Sequence, residues 1–446
     1  MMDNIVQNTF TRRIDKSEQR LYLRIPFEVL TDVASFTIAY HYLRHRLTEM
    51  HDGRTIREEI NVIDLALENP SNELVGASGS ERMEVSIHEN HATPGYAGTV
   101  IVPGTWSIVL GAYRVQEEGC PVEITVTQHK KHSMLLRGDC HTHTVHSDGW
   151  YTVDEAMARA VQARLDYLFV TDHNSMASNA LISSTPQLTV LPGVEMTYYD
   201  GHYNLFGIAR PVRSYVANSR EDVLAVMREG KANGALVSIN HPMDASCGWK
   251  FGLGQDVPAD MVEIWNGPFA PDNQSSISLW HRHLCTGRKW PAIGGSDCHR
   301  EHLFRTFASP TTFLHARSRN GSDILEAMKR GHAFIGMGPD APRIQMALGD
   351  AAMGDTYKGS PNEVLRLTLQ SLGNGDEIRI LDQTGLVFKS KPGSCALFEM
   401  EYSPSGSRFL RVEVWRALPV IGMTLASISN PIYLEQQITH EERNEK

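Results

Sequence analysis

The run Arg137-Gly138-Asp139-Cys140-His141-Thr142-His143-Thr144-Val145-His146-Ser147-Asp148-Gly149 carries the densest chemistry in the chain. His141 and His143 are two apart, so on a strand both imidazoles point to one face. Two imidazoles on one face make half of a metal site, and Asp148 offers a carboxylate on the loop that follows. An isolated H-x-H recurs by chance, but four more clusters of the same chemistry follow before residue 300. Imidazoles and carboxylates without thiolates suit Zn, Mn or Fe. Two close ions can share a hydroxide at neutral pH and hold both the attacking and the leaving oxygen of a displacement. That is the chemistry of a multinuclear metallohydrolase, and it needs no serine or cysteine nucleophile.

The elements that must position these groups read as strands with the ligands at their carboxyl ends. Asp172-His173 follows Leu168-Phe169-Val170-Thr171. Glu195 follows Leu188–Val194, His241 follows Leu236–Asn240, and Asp297 and His299 follow Pro291–Ser296. In β/α barrels that end carries the active site. Gly294-Gly295 lets the backbone come close to a crowded centre. Asp297 and His299 repeat the alternation of the first pair, with Cys298 facing the wall. Thr152 and Glu155 form a capping box that starts a helix. Ser219 and Asp222 open a second helix, Gly234 closes it, and Ala235–Asn240 is the next strand. Repeated strand–helix units imply a parallel sheet or barrel.

Residues 1–136 read differently. Leu21/Leu23/Ile25, Phe36/Ile38/Tyr40, Ile63/Leu65/Leu67 and Val122/Ile124/Val126 alternate with more polar neighbours, and turn-like stretches separate them. This predicts an amino-terminal β-sandwich. His88 and His91 lie there without a partner carboxylate and read as surface residues. From about 339 strand patterns return, in Leu365/Leu367/Leu369 and Leu410/Val412/Val414, and predict a small carboxy-terminal β domain over 339–446. The final HEERNEK reads as a frayed tail.

The ordered set H-x-H, S-D-G, T-D-H, G-V-E, a downstream His, N-H-P and G-S-D-C-H resembles the PHP (polymerase and histidinol phosphatase) superfamily over residues 137–338. Glu263-Ile264-Trp265-Asn266-Gly267, Gly331-His332-Ala333-Phe334-Ile335 and Ser429-Asn430-Pro431-Ile432-Tyr433 resemble the branch that includes carbaryl hydrolase and small phosphoesterases. The resemblance implies a distorted β/α barrel with two or three divalent ions, flanked by the two β domains, a multidomain α/β plus β chain. It implies that His141, His143, Glu195 and Asp297 hold a first ion. Glu195, His202 and His241 would hold a second, with Glu195 bridging, and Asp148, His173 and His299 a third. His146 is an alternative to Asp148, although the S-D-G spacing favours Asp148.

Asp297, His299 and Glu195 are the residues on which catalysis would turn. Asp172 and Asp139 would support the ligands from behind. Arg300 and Arg305 follow the last cluster, where a guanidinium could clamp a phosphate. Trp265 and Asn266 end another strand and would line the substrate pocket. Trp249, Lys250 and Phe251 would cover its mouth. The first expectation is a phosphoesterase acting on a small anionic molecule. The second keeps the metals and cleaves a carbamate, carboxylic ester or amide. A non-catalytic binding module is the third.

The net charge of -10 over 446 residues argues against broad nucleic-acid binding. No apolar run approaches a membrane span and no signal peptide is evident. Six scattered cysteines without C-x-x-C read as reduced thiols. A cytoplasmic enzyme is expected, with the β domains as surfaces for self-association.

Overall fold

Alternation writes the amino-terminal strands. In Cys120–Lys130 Val122, Ile124 and Val126 are all buried, and their neighbours Pro121 and Glu123 are exposed. The same pattern recurs across two four-stranded antiparallel sheets. One runs Ile5–Ile14, Cys120–Lys130, Val33–His41, Glu84–His88; the other runs Tyr22–Val29, Gly104–Arg114, Val62–Glu68, Leu74–Ser78. Their inner faces share one core, with Phe36 edge-on to Trp106 at 5.1 Å. The computed structural model describes residues 4–360 and 362–435, and the HEERNEK segment lies outside them. The chain divides into two compact units, Met1–Ser133 and Met134–Lys446.

The second unit is built on one long sheet. Its strands are β1 (Met134–Asp139), β2 (Tyr167–Val170), β3 (Thr189–Tyr198), β4 (Gly201–Phe206), β5 (Leu236–Ile239), β6 (Met261–Asn266), β7 (Ala292–Gly295), β8 (Thr311–Ala316) and β9 (Ala333–Gly336). Four helices accompany them among the described residues: α1 (Val153–Gln162), α2 (Arg220–Ala232), α3 (Pro271–Cys285) and α4 (Gly321–Arg330). The capping box is in place at α1, where Thr152 Oγ1 accepts from Glu155 N–H at 3.2 Å and Glu155 accepts from Thr152 N–H at 2.8 Å. Ser219 accepts from Asp222 N–H at the start of α2.

The strand order is β7-β6-β5-β4-β3-β2-β1-β8-β9, and Gly422–Ser429, Phe409–Leu418 and two further strands extend it. Strands β1, β2 and β3 are parallel, as are β5, β6 and β7. The expected β/α barrel is therefore corrected: the molecule is mostly β and the sheet is open. Two features open it. A hairpin replaces a strand–helix unit between β3 and β4, so β4 runs antiparallel to both neighbours. Strand β1 also gives its second edge to antiparallel β8 rather than to β7. The strands from 343 onward belong to this second unit, since Ser429 pairs opposite Phe334 of β9.

The ends of β1 and β7 still meet. Past both strands Thr142 bridges Cys298, and Asp297 N–H donates to His141 O at 2.8 Å. Gly295 makes that approach possible, because a Cβ there would sit 2.4 Å from His141 Cβ. Among the described residues no helix is long and apolar enough to cross a membrane.

Candidate metal centre

The carboxyl ends of β1, β2, β5 and β7 and the β3–β4 hairpin converge. Glu195 lies within β3, not after it, and is 1% exposed. Its Oε2 is 3.3 Å from His141 Nε2, 3.4 Å from His143 Nε2 and 2.9 Å from His173 Nδ1. Its Oε1 is 3.2 Å from His202 Nδ1 and 3.4 Å from His241 Nε2. One carboxylate thus faces five imidazoles, three through one oxygen and two through the other. His202 is the second residue of β4, opposite Thr197 in the hairpin register.

Asp297 Oδ1 lies 3.0 Å from His143 Nε2 and 3.5 Å from His141 Nε2. Asp148 Oδ1 lies 3.1 Å from His299 Nε2 and 3.5 Å from His173 Nε2. Donor atoms of His143, Asp148, His173 and His299 lie within 4.8 Å of one another, as do those of His141, His143 and Glu195. His146 joins none of these groups. Two ligand positions carry unusual backbone: Asp297 has φ 49° and His241 φ 26°. Such left-handed residues cost about 1–3 kcal/mol each and persist where the surroundings fix them.

The donor set fits metal ions. His141 Nε2, both ring nitrogens of His143, and Glu195 Oε2 are buried and make no hydrogen bond. An unsatisfied buried polar atom costs about 1–3 kcal/mol. Several of them aimed at a common space are what a multivalent cation would satisfy. Burial alone would raise Glu195, but the charge of His141 and the facing imidazoles of His173 and His202 hold its carboxyl well below the usual range. Burial would likewise raise Asp297, and His141 and His143 hold it well below. Burial disfavours a charged His141, yet the facing charges of Glu195, Glu263 and Asp297 keep its imidazole well above its ordinary value.

A second layer of residues aims the ligands. Glu263 on β6 accepts from His141 Nδ1 at 3.0 Å, from His241 N–H at 3.0 Å and from Asn266 Nδ2 at 3.1 Å. Asn240 Nδ2 donates to Glu195 Oε1 at 2.7 Å, and Thr197 Oγ1 is 2.6 Å from His173 Nδ1. Buried Asp172 accepts from Thr144 N–H, Thr144 Oγ1 and Ser147 Oγ, which fixes the loop carrying Asp148. Buried Asp139 accepts from Ser296 N–H and Ala308 N–H, both at 2.9 Å. Glu263, Asn240 and Thr197 were not singled out as site residues. Glu263 carried a sequence signal as an acidic residue inside an apolar strand (Met261–Asn266), Asn240 carried one as the first residue of N-H-P, and Thr197 carried none.

The four residues expected to bind substrate separate. Trp265 is 2% exposed and packs edge-on to Phe269 in the core. Asn266 gives its amide to Glu263. Arg305 is half-buried; its Nη1 donates to Ser296 O and Asp297 O at 2.8 Å each, and it lies 3.4 Å from Asp297 Oδ2. It braces a ligand. Arg300 is exposed and stacks over Trp150 at 4.5 Å.

A cleft of about 860 Å³ opens beside His202. Tyr198, Tyr199, Tyr215, Val216 and Phe251 line it. Its arginine, Arg220, is engaged by Asp256 at 2.7 Å and by the Phe251 carbonyl at 2.7 Å. Trp249 does not cover the mouth; it is buried and donates to Gly252 O.

No family model matches the chain, and neither does any curated protein. Among solved structures it is similar to a two-domain protein containing a predicted PHP-like metal-dependent phosphoesterase from Bacteroides vulgatus. The two are 18% identical, the match covers 66% of this chain and 95% of that one, and the TM-score is 0.38. It is also similar to an amidohydrolase from Chromobacterium violaceum at 16% identity, 38% and 89% coverage and a TM-score of 0.30. At scores this low the likeness does not assign the chain to a family, and the chemistry of the site rests on its own geometry.

Proposed function

We propose that the chain is a metal-dependent hydrolase and that its substrate is a small phosphoester. The observation that carries this reading is Glu195, one buried carboxylate whose two oxygens face His141, His143 and His173 on one side and His202 and His241 on the other. Divalent ions of the Zn, Mn or Fe class bound there would supply Lewis acidity and lower the pKa of water.

The protein's own residues prepare the rest. Glu263 holds the His141 ring through Nδ1 and leaves Nε2 free for an ion. Asn240 fixes the Glu195 carboxylate, and Arg305 fixes the backbone at Asp297. Asp148 and His299 stand on the more open side, with side chains 62% and 31% exposed, where substrate can reach them. The carboxylates alone would repel an anionic substrate, so phosphate binding follows metal loading.

The cleft favours a second reading. Its tyrosine and apolar lining, with Arg220 already engaged, suits an uncharged group: either the alcohol half of a phosphoester or a carbamate or ester carbonyl compound. Metal content of protein purified without chelator, paired with hydrolysis of p-nitrophenyl phosphate, phosphodiester, acetate and carbamate, decides. Phosphoester turnover that is lost on chelation and restored by metal supports the first reading. Turnover of only the carbonyl substrates replaces it with the second. A fully loaded protein inert to the whole panel favours a binding module.

A further inference from the structure

The cleft beside His202 shares walls with the metal centre. His202 lines it and stands 3.2 Å from Glu195 Oε1; Thr197 lines it and lies 2.6 Å from His173 Nδ1. A group seated in the cleft is therefore next to the position that His202 serves. The volume of about 860 Å³ falls within the range of about 300–1,000 Å³ that holds whole organic molecules, and a phosphate fills little of it. Four aromatic rings line it, those of Tyr198, Tyr199, Tyr215 and Phe251. Phe251 is braced edge-on against buried Trp249 at 5.0 Å. The charged side chains of the lining, histidine aside, are paired within the protein. Arg220 is held by Asp256 and by the Phe251 carbonyl, and Asp200 lies 3.2 Å from Lys250 Nζ. The Asn174 amide is also engaged, accepting from Thr197 N–H at 3.0 Å and donating to Thr197 O at 3.3 Å. What the cleft offers a ligand is ring surface without free charge. Aromatic rings meet edge-to-face or offset, and each such pair is worth about 2- to 12-fold in affinity beyond the area it buries. A saturated ring of the same size buries similar area and lacks that increment.

We propose that the substrate is an ester of an alcohol that carries an uncharged aromatic ring, and that Tyr199, Tyr215 and Phe251 select this ring in the cleft. The inference rests on the metal-dependent phosphoesterase reading for the bond that is cut and names the group attached to it. A charged ring would have to be desolvated without a free partner, because Arg220 and Asp200 are already paired.

Steady-state hydrolysis of ethyl, 2-phenylethyl and 2-cyclohexylethyl phosphate by the metal-loaded full-length protein tests it, since the three alcohols leave almost equally well. The expected kcat/KM is about 10-fold higher for the phenyl than for the cyclohexyl ester, with the ethyl ester lowest. In Tyr199→Ala/Tyr215→Ala that ratio should fall to about twofold or less. Tyr199 is fully exposed and Tyr215 is 56% exposed, so removing both rings leaves the core intact, and metal content checks this. Equal rates for the phenyl and cyclohexyl esters, or an unchanged ratio in the variant, overturn the aromatic cleft and leave the metal centre standing. Faster turnover of a phenylethyl ester with a para-carboxylate overturns the uncharged ring. If none of the phosphates is hydrolysed, the acetates of the same alcohols and the binding of 4-phenylphenol to the metal-free protein, followed by its fluorescence, separate the two readings. Acetate turnover with the phenyl preference, or 4-phenylphenol bound by the wild type and not by the double variant, keeps the aromatic cleft and overturns the phosphoester. Absence of both overturns the cleft as well.

Discussion

His88 and His91 in the amino-terminal unit, and His141 and His143 in the second, are both pairs of imidazoles brought ring to ring. The first pair stacks at 4.0 Å and 17°, the second lies at 5.1 Å and 52°. Burial, then the charges of His91 and His129, push His88 down to about 4. No carboxylate contributes. His141 is more deeply buried yet shifts the opposite way, because Glu195, Glu263 and Asp297 surround it. Close spacing in sequence makes a histidine pair. Carboxylates from distant strands turn a pair into a ligand set.

The largest effect should come from taking a carboxylate away. Asp297→Ala should lower metal content by at least one equivalent and turnover by about 10³-fold or more. Elemental analysis and steady-state rates read both, and a variant with full metal and full activity would remove Asp297 from the centre. Next is Glu263→Gln, which keeps the shape but weakens the grip on His141 Nδ1. A loss of about 10–100-fold in metal affinity is expected from chelator competition. Unchanged affinity would reduce Glu263 to packing.

The two arginines should then part company. Arg305→Ala loses two carbonyl bonds behind Asp297 and should cut kcat by about 10-fold with metal retained. Arg300→Ala should stay within about twofold, since Arg300 only stacks on Trp150. Equal effects would return Arg300 to the list of substrate contacts.

The last effect is on stability alone and belongs to the pair without carboxylates. His88 binds its proton more weakly folded than unfolded, so its contribution is full above the ordinary value of 6.5 and is lost as pH falls toward about 4. After solvent screening this amounts to about 1–2 kcal/mol. Urea unfolding at pH 7 and pH 4.5 should show the wild type losing that much more stability than His88→Phe. An identical loss in both would mean the pair is not an acid-sensitive element.

Much of the candidate donor set was legible because its members sit at strand ends, where alternation and spacing act locally. His141, His143, His173, His241, Asp297 and His299 were found this way, and the structure brings them together with Glu195, His202 and Asp148. Trp265 shows where that logic fails. It is two residues from Glu263 and should share its face, but the β6–β7 register shifts between them, with Glu263 opposite Ile293 and Trp265 opposite Gly294. The irregularity turns Trp265 into the core.

The sequence by itself determined the amino-terminal strand pattern, the capped starts of α1 and α2, and the donor types available for metals. These depend on neighbours a few residues apart. Whether the sheet closed, how five imidazoles gather on the Glu195 carboxylate, and what engages each arginine were decided only by tertiary structure. The β3–β4 hairpin and the β1–β8 pairing opened the sheet, and contacts between residues more than a hundred positions apart, such as His141 with Glu263, set the site. Local patterning carries no information on those pairings, because their energies exist only once distant strands have met.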